Sequence, residues 1–252
     1  MKKILAFILF TLVFQINMLA QLNHEVSVTV GLYQLRGDYG ERGNSENNFA
    51  NQGIAIGANY YYNSSFSRNA GYFQEHFKPK ANFTFTSVSL EHIGYDGDPR
   101  LDEMTGSSTN FRFGVGLEWF PRELDFEKND RYSSFHPKNI HPYAGFVVGL
   151  NFSMPDAESS LPGGLENPDN IFPTFIAEDG RTGINLENNT NFYFSFQGGL
   201  RFKIKNNKDI ILETNWVFFD SDFIDGLSPV GEQNESNDWS WGINIGYAYT
   251  FY

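Results

Sequence analysis

The sequence predicts an all-β protein, an eight-stranded antiparallel up-and-down transmembrane β-barrel, and three observations predict it. Apolar and polar residues alternate over stretches of about ten residues, the length at which a tilted strand crosses a bilayer. Aromatic residues reach 17%, with 26 Phe and 13 Tyr, while mean hydropathy is only −0.39. A membrane barrel combines those two values because only alternate residues of each strand meet lipid. Beyond residue 20, finally, no apolar run approaches the roughly twenty residues of a membrane helix.

The N-terminal segment stands apart. Lys2 and Lys3 precede an apolar run over residues 4–14, and Gln15 and Asn17 interrupt it before Ala20. That order predicts a secretory signal peptide over 1–20, with the barrel occupying 21–252. Met18 holds a position where a small residue is usual before a cleavage site. Loss of Lys2 and Lys3 would make the net charge more negative than the −12 of the whole chain, which argues against a nucleic-acid partner. There is no Cys, so disulfides, thiolate metal sites, a catalytic thiol and a lipoprotein anchor are excluded.

The first strands are expected over 25–35, 53–62 and 81–92. In the fourth, Phe111, Phe113, Val115, Leu117 and Trp119 alternate with Arg112, Gly114, Gly116 and Glu118. The fifth is expected over 142–152. In the sixth, Phe192, Phe194, Phe196, Gly198, Leu200, Phe202 and Ile204 alternate with Tyr193, Ser195, Gln197, Gly199, Arg201 and Lys203. The seventh covers 210–219, and the eighth sets Trp239, Trp241, Ile243, Ile245, Tyr247, Tyr249 and Phe251 against small and polar residues. An even count brings both termini to one side, expected to be periplasmic. Residues 36–51, 93–109, 153–190 and 221–237, rich in Gly, Asn, Asp and Pro, then become extracellular loops. The segment 205–209, KNNKD, becomes a tight periplasmic turn, whereas 63–80 and 121–141 are longer than such turns usually are.

A soluble lipocalin-like barrel would also alternate, with its apolar face inward. An eight-stranded interior has little room for so many rings, and the faces opposite them carry Gly with Arg, Lys, Glu, Gln and Asn. Trp119, Trp216, Trp239 and Trp241 all fall on the expected outward faces, as an aromatic girdle requires. Arg112, Glu118, Arg201, Lys203 and Glu213 should point into the lumen and form a satisfied polar network, with a solute pore excluded by its width.

The segment NHEVSVTVGLYQLRGDYGERG from Asn23, the stretch 52–62 and YFQEHFKPK from Tyr72 resemble the first half of a small Bacteroidota outer-membrane barrel family often mislabelled glutamate dehydrogenase. FFDSDFIDGLSP from Phe218, the run Asn237-Asp238-Trp239 and the closing Gly246-Tyr247-Ala248-Tyr249 resemble its last loop and strand. No Rossmann fingerprint follows any strand, so the dehydrogenase label has no basis in the residues. Gly37-Asp38-Tyr39-Gly40 and the final acidic loop are similar, more distantly, to PorG, a barrel of the type 9 secretion machinery. The resemblance implies an accessory role beside a secretion or gliding apparatus.

Other candidate sites are few. Arg122, Phe126, Arg131, Tyr132 and Phe135 mix cations and rings unlike the acidic loops, and could dock a periplasmic or outer-membrane protein. Outer-membrane lipid is the other expected partner. Ser89, Glu91 and His92 suggest a rival reading, a lipid-modifying hydrolase of the outer leaflet, although adjacent strand residues face opposite sides. Asp220, Asp222 and Asp225 before Gly226 lack the full calcium-loop spacing and read as a solvated acidic loop. No metal, cofactor or catalytic residue is expected, and the protein is read as a non-enzyme.

Overall fold

The computed structural model describes residues 24–40, 51–63, 71–92, 97–122, 139–177, 180, 182–205, 207–230 and 237–251. Eight antiparallel strands follow one another around a closed barrel: β1 (His24–Arg36), β2 (Gln52–Tyr62), β3 (Phe77–Glu91), β4 (Met104–Trp119), β5 (Ile140–Ser159), β6 (Asn189–Lys205), β7 (Lys208–Phe219) and β8 (Trp239–Phe251). Each pairs with its sequence neighbours, and β1 closes the ring on β8 over a register running from His24 opposite Phe251 to Arg36 opposite Trp239. Two short helices, α1 (Tyr72–His76) and α2 (Pro99–Asp102), lead into β3 and β4. No helix among the described residues is long and apolar enough to cross a membrane.

The alternation in sequence becomes an inside and an outside. On β1, Val26, Val28, Val30 and Leu32 are exposed while Glu25, Ser27 and Thr29 are buried. On β6 the exposed residues are Phe192, Phe194 and Phe196, with Tyr193, Ser195 and Gln197 buried between them. Rings tile the exterior across strands: Phe83 packs on Phe113 with centroids 4.9 Å apart, and Phe194 on Phe218 at 5.0 Å. Trp119, Trp216 and Trp239 stand on this outer surface, and half-buried Trp241 donates its indole N–H to Gln34 Oε1 at 2.5 Å. A closed ladder, greasy outside and charged inside, leaves no backbone amide unpaired in hydrocarbon. The protein is an integral barrel of the bacterial outer-membrane type.

Connections β2–β3, β4–β5 and β6–β7 lie at the end holding His24 and Phe251, called the lower end; the other four lie at the upper end. Strands run further than alternation indicated. Strand β3 starts at Phe77, so the lower connection is shorter than the expected 63–80, and β4 and β5 extend upward into stretches read as loops. Prolines hid two of these extensions: Pro79 in β3 and Pro155 in β5 sit within paired strands, although Pro lacks the ladder N–H and normally argues against a strand. At 16 and 20 residues, β4 and β5 exceed the 9–11 needed to span a bilayer. Their tops pair from Met104 opposite Ser159, above the last β5–β6 pair, Ser153 with Asn189. The signal segment 1–20 lies outside the described residues, as do Phe126, Arg131, Tyr132 and Phe135.

If lipid covers the outer face, a cation placed midway along it is costly. Ile245, exposed at the centre of β8, is the position to change: Ile245→Arg should weaken folding into phospholipid vesicles by about 2–4 kcal/mol. Reversible unfolding titrations would measure it, and an unchanged free energy would place this face out of lipid.

Candidate functional site

The lower lumen is organised around Arg201 on β6. Its Nη1 bonds Glu25 Oε1 on β1, and its Nη2 donates to Glu118 Oε2 on β4 at 2.8 Å. Two lysines of β3 complete the charges, Lys78 Nζ lying 2.6 Å from Glu25 Oε2 and Lys80 Nζ 2.9 Å from Glu118 Oε1. These five side chains are at most 2% exposed. Spare lone pairs are served as well: Tyr61 on β2 donates to Glu118 at 3.0 Å, Thr250 on β8 to Glu25 at 3.4 Å, and Gln197 accepts from Lys80. Tyr143 on β5 donates to Glu213 on β7 at 2.8 Å. Asp209 on β7 lies 3.9 Å from Arg201 Nη1 and the Tyr143 ring 5.6 Å from the guanidinium, so every strand contributes to one network.

Its floor is aromatic. The Arg201 guanidinium lies 4.5 Å from the Tyr61 ring centre and 5.5 Å from that of Phe120. Phe120, just past β4, is fully buried because its N–H donates to His76 O at 2.7 Å, turning the chain inward beneath the lysines. The Lys78 ammonium sits 5.5 Å above the same ring.

The upper end closes differently, with an apolar cap. Leu90, Leu101, Met104, Phe175, Ile224 and Leu227 form one buried cluster continuous with Tyr33 and Leu35 of β1. The β7–β8 loop is drawn into it by hydrogen bonds rather than left in solvent. Ser108 Oγ donates to Ile224 O at 2.5 Å, and Asp238 accepts from Ile224 N at 2.8 Å. Asp225 accepts from Asp38 N at 2.6 Å and from Leu227 N at 2.9 Å. Gly37 must lack a side chain, since a Cβ would lie 2.0 Å from Asp225 Oδ2, and Gly226 takes a φ of 88°.

This corrects the reading of a solvated acidic loop. Asp220 is exposed, but Asp225 and Asp238 are buried, and an oxygen of each lies within 4.8 Å of one from Asp38. Burial raises Asp225 to about 7, against the lowering effect of its two backbone donors. Burial and the neighbouring carboxylates of Asp225, Asp38 and Asp222 raise Asp238 well above the usual range.

All five lumen residues named from the sequence are buried, but the structure does not gather them all. Glu118 and Arg201 are central, and Glu213 joins through Tyr143. Lys203 is buried opposite Asp209 in the β6–β7 register. Arg112 lies apart, higher on β4, its guanidinium 5.5 Å from the Tyr33 ring and 5.9 Å from that of Tyr193. Such contacts contribute about 0.5–2 kcal/mol each, less than the several kcal/mol that burying an ion costs. Glu25, Lys78 and Lys80 were not singled out from the sequence. The alternation Lys78, Lys80, Asn82, Thr84 held the signal for the lysines, and Pro79 masked it.

Of the partner-contact candidates, Arg122 is exposed and donates to Ile140 O at 3.5 Å; the others lie outside the described residues. The hydrolase constellation is not assembled: Ser89 is exposed, whereas His92 is buried against Tyr39 and accepts from Gly40 N through Nδ1 at 3.1 Å. Burial holds the His92 ring at about 4, far from a base poised for neutral pH.

No protein-family model and no curated protein matches the sequence. Among solved structures, the chain is similar to Ail, the attachment invasion locus protein of Yersinia pestis, at 11% identity and a TM-score of 0.45, over 91% of this chain and 99% of that one. It is also similar to Neisserial surface protein A, at 10% identity and TM-score 0.44, over 90% and 96%. A major outer membrane protein from Thermus thermophilus shares 9% identity at TM-score 0.46, over 90% and 99%.

Arg201→Met would leave Glu25 and Glu118 buried with fewer counter-charges, so it should destabilise the barrel by about 3–5 kcal/mol, read from denaturant unfolding in detergent. For the cap, a carboxyl whose folded pKa is raised opposes folding progressively as pH climbs from its ordinary value near 3.8 to about 7. His92, lowered from 6.5 to about 4, runs the other way over part of that window. Asp225→Asn isolates the carboxyl. Relative to the parent protein it should gain amide-exchange protection in 219–228 on going from about pH 4 to about pH 7, above a constant offset from the altered bond to Asp38.

Proposed function

We propose that the protein is a non-enzymatic outer-membrane barrel that acts as a structural or accessory subunit, not as a channel. The observation that carries this reading is a lumen filled and sealed twice, by the Arg201 network over Phe120 below and by the apolar cap above. An eight-stranded interior is just wide enough for its own side chains, and here no charged group of the Arg201 cluster is left facing an aqueous path at the lower end.

In this reading the lower end faces the periplasm and the upper end the exterior. The resemblance to the Bacteroidota barrel family and, more distantly, to PorG supports association with a protein secretion or gliding apparatus. Contact would run through the lower connection that begins at exposed Arg122 and carries Phe126, Arg131, Tyr132 and Phe135.

Two measurements test it. In planar bilayers the purified protein should show no steady conductance, and a stable open level would refute a sealed lumen. Deleting 123–138, which leaves both flanking strands intact, should strip periplasmic proteins from the barrel when it is captured from detergent-solubilised membranes. Retention of the same partners would dismiss this docking surface.

A further inference from the structure

Arg112 is a buried cation without a counter-ion. It is 2% exposed, its Nη1 has no hydrogen-bond partner, and no Asp or Glu among the described residues forms an ion pair with it. Its cross-strand neighbours are Thr84 and Asn151, both neutral. The carboxylates of the lower network begin six residues further along β4, at Glu118, roughly 20 Å away at about 3.4 Å per residue. Of the upper carboxylates, Asp238 is near enough for its charge to act on the Tyr33 hydroxyl, but it forms no ion pair with Arg112. Ring faces alone satisfy neither its charge nor its N–H groups.

Other unsatisfied donors surround it. The hydroxyls of Tyr33 and Tyr193, whose rings flank the guanidinium, have no hydrogen-bond partner. Thr86 and Ser240 lie beside the Tyr33 hydroxyl but outside bonding geometry. Tyr193 is pressed close to the opposite wall, since a Cβ at Gly114 would lie 2.5 Å from its hydroxyl. One fixed positive charge, two phenolic donors and tight walls suit a ligand that is negative, singly charged and small.

We propose that the upper lumen holds a monovalent anion of halide type, bound by the Arg112 guanidinium with the hydroxyls of Tyr33 and Tyr193 as further donors. The anion supplies the negative charge that the strands do not. It neutralises the buried cation as Glu25 and Glu118 neutralise Arg201.

Crystals of the full barrel grown in bromide test this by anomalous scattering. A bromide peak is expected within hydrogen-bond reach of Arg112 Nη1. In solution, unfolding temperature in detergent should rise with chloride, at fixed ionic strength made up with bulky gluconate. Above the dissociation constant the rise should be roughly 3–5 °C per tenfold increase. Arg112→Met should flatten that dependence. Tyr193→Phe, which keeps the cation, should weaken it and serves if the first variant does not fold. Only water beside Arg112 in the bromide crystals, or a chloride response equal to that of gluconate or unchanged by both substitutions, overturns the proposal.

Discussion

Hydrocarbon offers no partner to a peptide group, and that single constraint dictates the rest of this molecule. Each amide of a membrane-crossing strand must bond to another strand, and a row of strands satisfies this only when the last meets the first. The pairing of β1 with β8 meets that requirement from His24 to Arg36. Once the ring is closed, the pleat leaves alternate side chains no choice of environment. One set must tolerate acyl chains and the other must fill a narrow interior.

Filling that interior with charge is hazardous, and the lumen shows how the hazard is contained. Glu25 and Glu118 share Arg201, and each takes a lysine from β3, so the two carboxylates and three cations form a connected cluster rather than isolated pairs. Tyr61, Thr250 and Gln197 add hydroxyl and amide partners, which lowers the cost of burying the cluster, although Arg201 Nε has no hydrogen-bond partner. The upper end relies on burial of apolar side chains instead, with Asp225 and Asp238 used as acceptors for loop amides. The two seals thus rest on different physics, one electrostatic and one hydrophobic.

The fold was legible because period-two alternation is imposed at every strand by the membrane itself. Strands such as 192–204 and 239–251 show it over most of their length, and all eight were found, five of them with limits close to those observed. Errors fell where a second rule competed. Pro79 suggested a loop and concealed Lys78 and Lys80, which took two of the three cations in the lower cluster out of view. The run Asp220, Asp222, Asp225 suggested solvent because acidity is local, whereas the burial of Asp225 depends on Asp38, 187 residues away. Inward direction could be read for Arg112 and Arg201 alike. That one sits among tyrosines and the other among carboxylates depends on height along the barrel, which alternation does not encode.

The Arg201 network also has a temporal aspect. Glu25 and Thr250 lie on the first and last strands, 225 residues apart, and they come together only when the ring closes. Interactions made that late are absent from a transition state in which strands are still assembling, so they act on the rate of opening far more than on the rate of insertion. The cluster is a clasp: it has little part in bringing the wall together, and a large one in determining how long the assembled wall persists.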